Sequence, residues 1–307
     1  MTTDGKDITT EYGCLLLRGS YNDLFRYPKR KAVEYNNWAE EDGTEPDLSE
    51  VLFEPKPIKL NFLMKAGSVG EFLSKYDKLI ADISAPGLRK FDFGFGKSHN
   101  LRYDANSDYA YPTAFNEGNN FAVFTLDFFE DNPPFGNAQF PEGGIYRHGS
   151  YAINGYDFGN FGIVSDKGFG DILTYPAAKP PFSDGRTVYS STVRSQHKEI
   201  KLSLQMTAKS KAEFINNNAA FFNQLTKPGT QELYVRSFGT IPVYYTDCTD
   251  FKIEQWDDSK AACRFGIALT VPVVTRIDFG GTTQIGALYD TDGGYLADEN
   301  NRLLILQ

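Results

Sequence analysis

Few residues in this sequence have the type and spacing that catalysis or metal binding needs. His99, His148 and His197 are far apart in the sequence, and none stands at the spacing of a metal-ligand pair. Each is therefore interpreted as a hydrogen-bonded or solvent-exposed side chain. Asp290-x-Asp292-Gly supplies two acidic residues in the manner of a calcium loop, but a third oxygen ligand and a downstream glutamate are missing from the required positions. This motif therefore predicts a turn.

The three cysteines, Cys14, Cys248 and Cys263, are too few and too scattered for a disulfide framework or a zinc site. We expect reduced, mostly buried thiols, with a pairing of Cys248 and Cys263 across a hairpin as a minor alternative. The glycine clusters lack the strand-to-helix context of a phosphate loop. The sequence thus predicts no catalytic, cofactor-binding or metal-binding residues. A carboxylate pair brought together by the fold, as in a hydrolase, stays open.

Composition and charge favour a β-rich protein that does not bind nucleic acid specifically. Aromatic residues make up 15% of the 307 residues, with 25 Phe and 18 Tyr, and 28 Gly and 15 Pro fit many short strands joined by turns. The net charge of −9 argues against specific nucleic-acid binding, which needs a basic surface. We expect neither a secretory signal at the N-terminus nor a membrane-spanning segment.

The sequence contains an internal repeat. Residues 58–91 match residues 200–233 without a gap, with 10 identities in 34 positions, where chance would give about two. The period is too long for a solenoid, so the repeat indicates duplication of a domain. The identical pairs are Ile58/Ile200, Lys59/Lys201, Leu60/Leu202, Met64/Met206, Ala66/Ala208, Ser68/Ser210, Glu71/Glu213, Phe72/Phe214, Pro86/Pro228 and Gly87/Gly229.

A second block upstream extends the repeat and sets the domain boundaries. Residues 23–31 lie over residues 171–179, so the loop that follows is six residues shorter in the second copy. A stretch rich in Pro and Gly separates the copies. The sequence predicts a first domain at 1–134, a linker at 135–151, a second domain at 152–276 and a C-terminal arm or hairpin at 277–307.

Each copy has the same local pattern. Alternating apolar residues after Ile58 and Ile200 predict strands with one buried face. Ser68-x-x-Glu71 and Ser210-x-x-Glu213 are capping boxes, and they open helices that end before a Pro-Gly pair. In the second copy the segments 240–253 and 263–273 predict an antiparallel strand pair, and 121–129 is the first-copy counterpart of the latter. Each domain is therefore predicted to be mainly β, a β-sandwich or partly open barrel with one packed helix, duplicated in tandem.

This order of elements resembles the tail-tube domain of long-tailed bacteriophages, found also in distal tail proteins, baseplate hubs and the type VI secretion tube. The resemblance is carried by the early Leu-x-Tyr-Pro motif at Leu173 to Pro176, with Phe25 in the matching place of the first copy, and by the Ile-Lys-Leu strand. The capped helix and the strand segment from Tyr244 to Cys248 complete it. These features cover roughly 12–134 and 160–274.

The resemblance implies a non-enzymatic structural component of a phage or prophage tail. It would form a ring around a central channel at the tube, distal tail or baseplate hub, assembled in the bacterial host cytoplasm. Two tube domains per chain imply a trimer with pseudo-six-fold symmetry that contacts neighbouring tail proteins, and the negative charge would help DNA to pass. Distal tail proteins usually carry one tube domain and a differently folded peripheral domain, so the repeated domain here leaves the position in the tail open.

The alternative is a tandem β-sandwich that binds carbohydrate at a surface without catalysis. Aromatic faces stack on sugar rings, and Tyr109, Tyr111, Tyr244 and Tyr245 are the candidates, although each suits a strand or core position better. A sugar binder is expected to be a monomer with an exposed aromatic platform. A tail component is expected to assemble.

Overall fold

Two antiparallel sheets of seven strands each form the framework of the protein. The structure is a computed structural model that describes residues 1–110, 120–133, 138–140, 151–167, 169–179, 194–236 and 238–274. The predicted C-terminal arm, the Asp290 motif and most of the predicted linker lie outside the described residues. None of the described helices has both the length and the apolar character needed to cross a bilayer.

The first sheet and its helices lie between Thr2 and Glu130. Their elements are β1 Thr2–Thr3, β2 Lys6–Asp7, α1 Ile8–Tyr12, β3 Cys14–Leu16, α2 Asn22–Phe25, β4 Tyr35–Asn36, β5 Glu45–Pro46, β6 Lys56–Lys65, α3 Val69–Ser84, β7 Arg89–Asp92, β8 Ser98–Ala110 and β9 Phe121–Glu130.

The second sheet lies between Tyr151 and Val271. Its elements are β10 Tyr151–Ile153, β11 Tyr156–Asp157, a 3-10 helix Phe158–Phe161, β12 Ile163–Lys167, α4 Phe169–Leu173, β13 Lys198–Ala208, α5 Lys211–Leu225, β14 Gln231–Val235, β15 Gly239–Trp256 and β16 Ala261–Val271.

The strand orders of the two sheets are the same, β2-β1-β7-β8-β9-β6-β3 and β11-β10-β14-β15-β16-β13-β12. One long strand in each sheet changes partners along its length. The N-terminal part of β8 pairs with β7 and the rest with β9, and β15 pairs in turn with β14 and β16. Each sheet therefore has two halves joined by one strand. The mainly β fold with a packed helix is confirmed.

The alternation predicted for the central strands is present in both copies. Ile58, Leu60, Phe62 and Met64 of β6 are buried, and so are the matching residues of β13. The predicted antiparallel pair in the second copy is β15 and β16, and β9 is the first-copy counterpart of β16. The buried face of each sheet packs against its helix, so the apolar residues of strand and helix form the core.

Both helices begin with the predicted capping serine. The Ser68 hydroxyl accepts the Glu71 N–H at 3.2 Å, and the Ser210 hydroxyl accepts the Glu213 N–H at 3.1 Å. The two glutamates differ slightly from the capping-box expectation, because each accepts from the residue before the serine. These bonds are Gly67 N–H to Glu71 at 2.8 Å and Lys209 N–H to Glu213 at 2.7 Å. The carboxylate thus satisfies a backbone donor one position further upstream.

The repeat extends further toward the start of each domain than the sequence comparison found. Asp4-Gly5 and Asn154-Gly155 have positive φ at both positions and join strands of two or three residues into hairpins. Asp157 then caps the short helix that follows its hairpin, as Asp7 caps α1 in the first copy. The two copies therefore share a complete entry into the sheet.

Gly13 and Gly162 end these short helices in the left-handed conformation. A Cβ at either position would collide with a backbone carbonyl of the neighbouring strand, that of Lys65 or Thr207. Both positions therefore require glycine for conformation and for close approach.

Candidate assembly interface

A long loop of the first domain covers the second domain. This loop, here named the first strap (residues 25–55), connects α2 to β6 and carries the small β4–β5 ribbon. Its two limbs also pair where Arg30 faces Phe53. The second strap (the described residues 173–179 and 194–197) is its counterpart, and its two described limbs pair in the same way where Ala178 faces Ser195.

The base of the first strap packs on α5 through two aromatic residues. Tyr27 stacks on Phe222 with ring centroids 4.5 Å apart, and its hydroxyl donates to the Asn218 carbonyl at 3.1 Å. Phe25 meets Phe214 edge-on at 5.5 Å. Aromatic pairs in these geometries contribute beyond their buried area, so this is the firmest part of the contact.

Tyr245 on β15 binds the strap from the other side. Its hydroxyl donates to the Pro28 carbonyl at 2.9 Å, and its ring meets Phe222 edge-on. Burial raises the pKa of Tyr27 and of Tyr245 well above the ordinary value for tyrosine. Both hydroxyls therefore remain protonated donors, as the two carbonyl acceptors require.

Further along, the strap follows the edge of the second domain with backbone and charged contacts. The Arg30 N–H donates to the Thr246 carbonyl at 2.9 Å, and its guanidinium lies over the Tyr244 ring. The Thr44 N–H donates to the Pro272 carbonyl at 2.8 Å. Gly43 has positive φ, and a Cβ there would meet Pro272, so glycine is needed for the approach.

The tip of the first strap also meets the second strap. Asp42 accepts the Ser195 N–H at 2.7 Å and pairs with Arg194. The Ser195 N–H is the main cause that lowers the pKa of Asp42, and Arg194 adds to it. Asp42 is exposed, so solvent weakens this ion pair, and the backbone bonds position the tip.

Buried charges lie beneath the base of the first strap. Lys56 donates to the Leu24 carbonyl at 3.1 Å and lies 3.0 Å from a carboxylate oxygen of Glu130. His99 Nδ1 is 2.6 Å from the other oxygen of Glu130. Lys56, His99 and Glu130 are all nearly inaccessible to solvent.

The pKa values in this cluster follow from burial and from the neighbouring charges. Burial would raise the pKa of Glu130, but Lys56 and His99 outweigh it, and its pKa lies below the ordinary value. Burial lowers the pKa of His99, although Glu130 opposes the change, so His99 is neutral at pH 7 and donates from Nδ1. Burial and then the charge of Lys56 lower the pKa of Lys97 to about 8. Because the carboxylate is closed off from any substrate, we assign the cluster to positioning α2 at the base of the strap.

The other residues singled out in the sequence are dispersed. His197 is half-buried and meets Tyr35 edge-on, and His148 lies outside the described residues. The three cysteines are free and buried, as predicted. Cys248 and Cys263 are not opposite each other, because Cys248 faces Ile267 and Cys263 faces Ile253. Within the described part of the chain, no three His, Cys, Asp or Glu side chains group as metal ligands would.

The three described tyrosines of the carbohydrate alternative, Tyr109, Tyr244 and Tyr245, do not form the exposed platform that it needs. Tyr244 and Tyr245 are buried under the first strap. Tyr109 is half-buried and stacks on Phe124, and Tyr111 lies outside the described residues. The described members of the set thus occupy strand and core positions.

Sequence reasoning missed the residues that anchor the short helices in each copy. The Asp23 carboxylate accepts the Lys59 N–H and the Asp171 carboxylate accepts the Lys201 N–H, which explains the upstream matching block. Lys198 repeats the role of Lys56, because its ammonium donates to the Ile172 carbonyl at 2.6 Å. The available signal was Lys56 and Lys198 standing at aligned positions two residues before the matched segment.

Fold and contacts together define a class, a mainly β chain with two antiparallel sheets of the same strand order, in which the first strap packs on the helix of the second sheet. No family model matches the chain. No curated protein matches it either. Among solved structures it is similar to the SPP1 Dit protein (gp 19.1), described as a paradigm of the hub adsorption apparatus in phages that infect Gram-positive bacteria. The identity is 11%, the match covers 88% of this chain and 96% of that one, and the TM-score is 0.30. Any functional inference must therefore come from the contacts within the chain itself.

Proposed function

We propose that the protein is a structural component of a phage-type tail and forms a ring around a central channel, at the tube, distal tail or baseplate hub. The observation that carries this proposal is the contact between the two domains. The first domain uses its strap and the second its helix α5, so two equivalent units meet through different surfaces. A contact of this heterologous kind, repeated between chains, builds a ring if the rotation closes.

The number of domains favours three chains in the ring. Three chains with two equivalent domains each give six units around the channel, with three-fold symmetry between chains and pseudo-six-fold symmetry between domains. Among the described residues, β3 and β12 are edge strands that expose Leu15 and Val164, which suits them to contacts with neighbouring tail proteins.

The proposed role has no catalytic step. The Lys56, His99 and Glu130 cluster is buried, and its charged groups pair with one another inside the fold. The net charge of −9 fits a channel wall that repels DNA and lets it pass. A virion tail assembled in the host cytoplasm is the corresponding location.

Mass-resolved size exclusion of the purified full chain over a wide concentration range, with negative-stain imaging, tests this function. We expect trimers and six-lobed rings with a central hole. A protein that stays monomeric at every concentration and binds sugars on a glycan array would contradict the proposal and support the carbohydrate alternative. In a structure of the ring, a basic inner surface would contradict the proposed passage of DNA.

A further inference from the structure

Two residues of the second strap are exposed to solvent, although their counterparts in the first strap are buried. Phe25 and Tyr27 are 4% and 3% exposed against α5. Their counterparts Leu173 and Tyr175 are 45% and 76% exposed. Each strap keeps a proline after the tyrosine, and each short helix before it is held by the same aspartate and lysine contacts. The second strap therefore begins in the same local structure, but no helix among the described residues covers its first residues as α5 covers those of the first strap.

In the first copy, the surface that corresponds to the binding surface of the first strap is accessible to solvent. Tyr103 faces Phe128 across β8–β9 as Tyr245 faces Leu269 across β15–β16, so the tyrosine that binds the strap is present in both copies. On α3, Ile80 stands at the position of Phe222. Phe222 is buried under the first strap, whereas Ile80 is only half-buried, and Leu73 on the same helix is 47% exposed.

We propose that the second strap of one chain docks on α3 and β8 of a second copy, with Tyr175 over Ile80. The Tyr175 hydroxyl donates to the Tyr76 carbonyl, and the Tyr103 hydroxyl donates to the Pro176 carbonyl, which repeats the two hydrogen bonds inside the chain. The inference rests on the proposed function, since it names the surfaces through which the ring would close.

A second copy is the occupant because the two open surfaces are the two halves of an interface that the chain already makes. Leu173 and Tyr175 of the second copy supply the strap half of this interface. Tyr103 and α3 of the first copy supply the helix half. Leu173 in place of Phe25, and Ile80 in place of Phe222, make the contact between chains less aromatic than the one within a chain. We therefore expect association to depend on concentration, while the contact between the two domains of one chain persists.

Single cysteines on separate full-length chains test the docking directly. Tyr175→Cys is made in one chain and Ile80→Cys in another, and a short bis-maleimide joins thiols that come close. The native thiols react little, since burial raises the pKa of Cys14 and of Cys248 to about 12. We expect cross-linked dimers in the mixture of the two variants and not in either variant alone. Leu52→Cys, on an apolar residue of the first strap that is 52% exposed and so more accessible than Ile80, is the control in place of Ile80→Cys and should give no dimer.

A second variant removes the strap contact and leaves the fold intact. Leu173→Ala with Tyr175→Ala should weaken association in size exclusion at least tenfold, with an unchanged melting temperature. If rings form but this variant still assembles and the mixture does not cross-link, the docking is wrong and the ring stands. If the mixture cross-links and no ring is seen by imaging, the docking stands and the ring is wrong. A monomer that never cross-links overturns both.

Discussion

The two copies share every strand of their seven-stranded sheets, yet their helices face different surroundings. The outer face of α5 lies under the first strap, and the helix has buried amides at Asn217 and Asn218. The same positions of α3 are Lys75 and Tyr76, which are half-buried. One scaffold thus supports a face that is covered within the chain and a face that solvent reaches. The residue types at these positions differ with the burial of the helix face, although the fold around them is the same. Buried polar groups need hydrogen-bond partners within the protein, whereas exposed ones can bind water.

The bases of the two straps differ in charge in a similar way. Lys56 has Glu130 and His99 beside it, whereas β-sheet register puts Val271 opposite Lys198 and Ile241 at the place of His99. Both lysines donate to the carbonyl of a short helix. The comparison indicates that the lysine anchors the helix in either case. The carboxylate and imidazole are additions of the first copy.

The largest expected effect separates the two straps. Tyr27→Ala removes a buried ring and its hydrogen bond and should lower the free energy of unfolding by about 4 to 5 kcal/mol. Tyr175→Ala removes an exposed ring and should change it by less than about 0.5 kcal/mol in the monomer. Denaturant unfolding at low protein concentration measures both. Equal losses would mean that the second strap is also packed within its own chain.

The charged base of the first strap should be the next most sensitive. Glu130→Val leaves Lys56 buried without its carboxylate and His99 without its acceptor, and should cost about 3 kcal/mol. Adding His99→Ile reproduces the arrangement of the second copy and should recover part of that loss, because the unpaired imidazole donor is gone. A double-mutant cycle measures the recovery. A double variant no more stable than the single one would show that the arrangement does not transfer between copies.

The copies should respond alike where their backbones are alike. Gly13→Ala and Gly162→Ala each combine a left-handed conformation with a collision at a carbonyl, and each should cost about 2 kcal/mol or more. Gly5→Ala and Gly155→Ala meet open space at similarly positive φ and should cost about 1 kcal/mol. Thermal melts of the four variants test this pairing. A loss at Gly13 without one at Gly162 would break the equivalence of the two domains.

The smallest effect is the pH dependence that comes from the buried His99 and Glu130 of the first copy. The pKa of His99 is lowered, so the unfolded state binds more protons just below pH 6.5, and stability falls as the pH drops through that region. The lowered pKa of Glu130 adds a further loss as the pH falls below 4.5. Between pH 7 and pH 4 the free energy of unfolding should therefore change less with pH in the His99→Ile, Glu130→Val variant than in the original protein. Parallel curves would place the acid sensitivity elsewhere.

Local sequence patterns predicted the elements that have local causes. The capping serines, the helix ends before Pro86 and Pro228 and the β15–β16 pair follow from spacing alone. The hairpin at the start of each copy was missed, because strands of two or three residues are too short to show alternation. Lys56 and Lys198 were missed because lysine on a strand normally indicates an exposed position. The contact of Tyr27 with α5 joins residues 191 apart or more, and no pattern within either segment records it.

The first strap has a consequence for the timing of folding during synthesis. Tyr27 is made 191 residues before Asn218, the helix residue that its hydroxyl binds. At about 5 to 20 residues per second the ribosome needs about 10 to 40 seconds to supply that helix. The first sheet can form in that interval, since its strands end at Glu130, while Phe25 and Tyr27 stay uncovered. The packing of the first strap on α5 is thus a late event in the synthesis of each chain. Until then the nascent strap is accessible to chaperones.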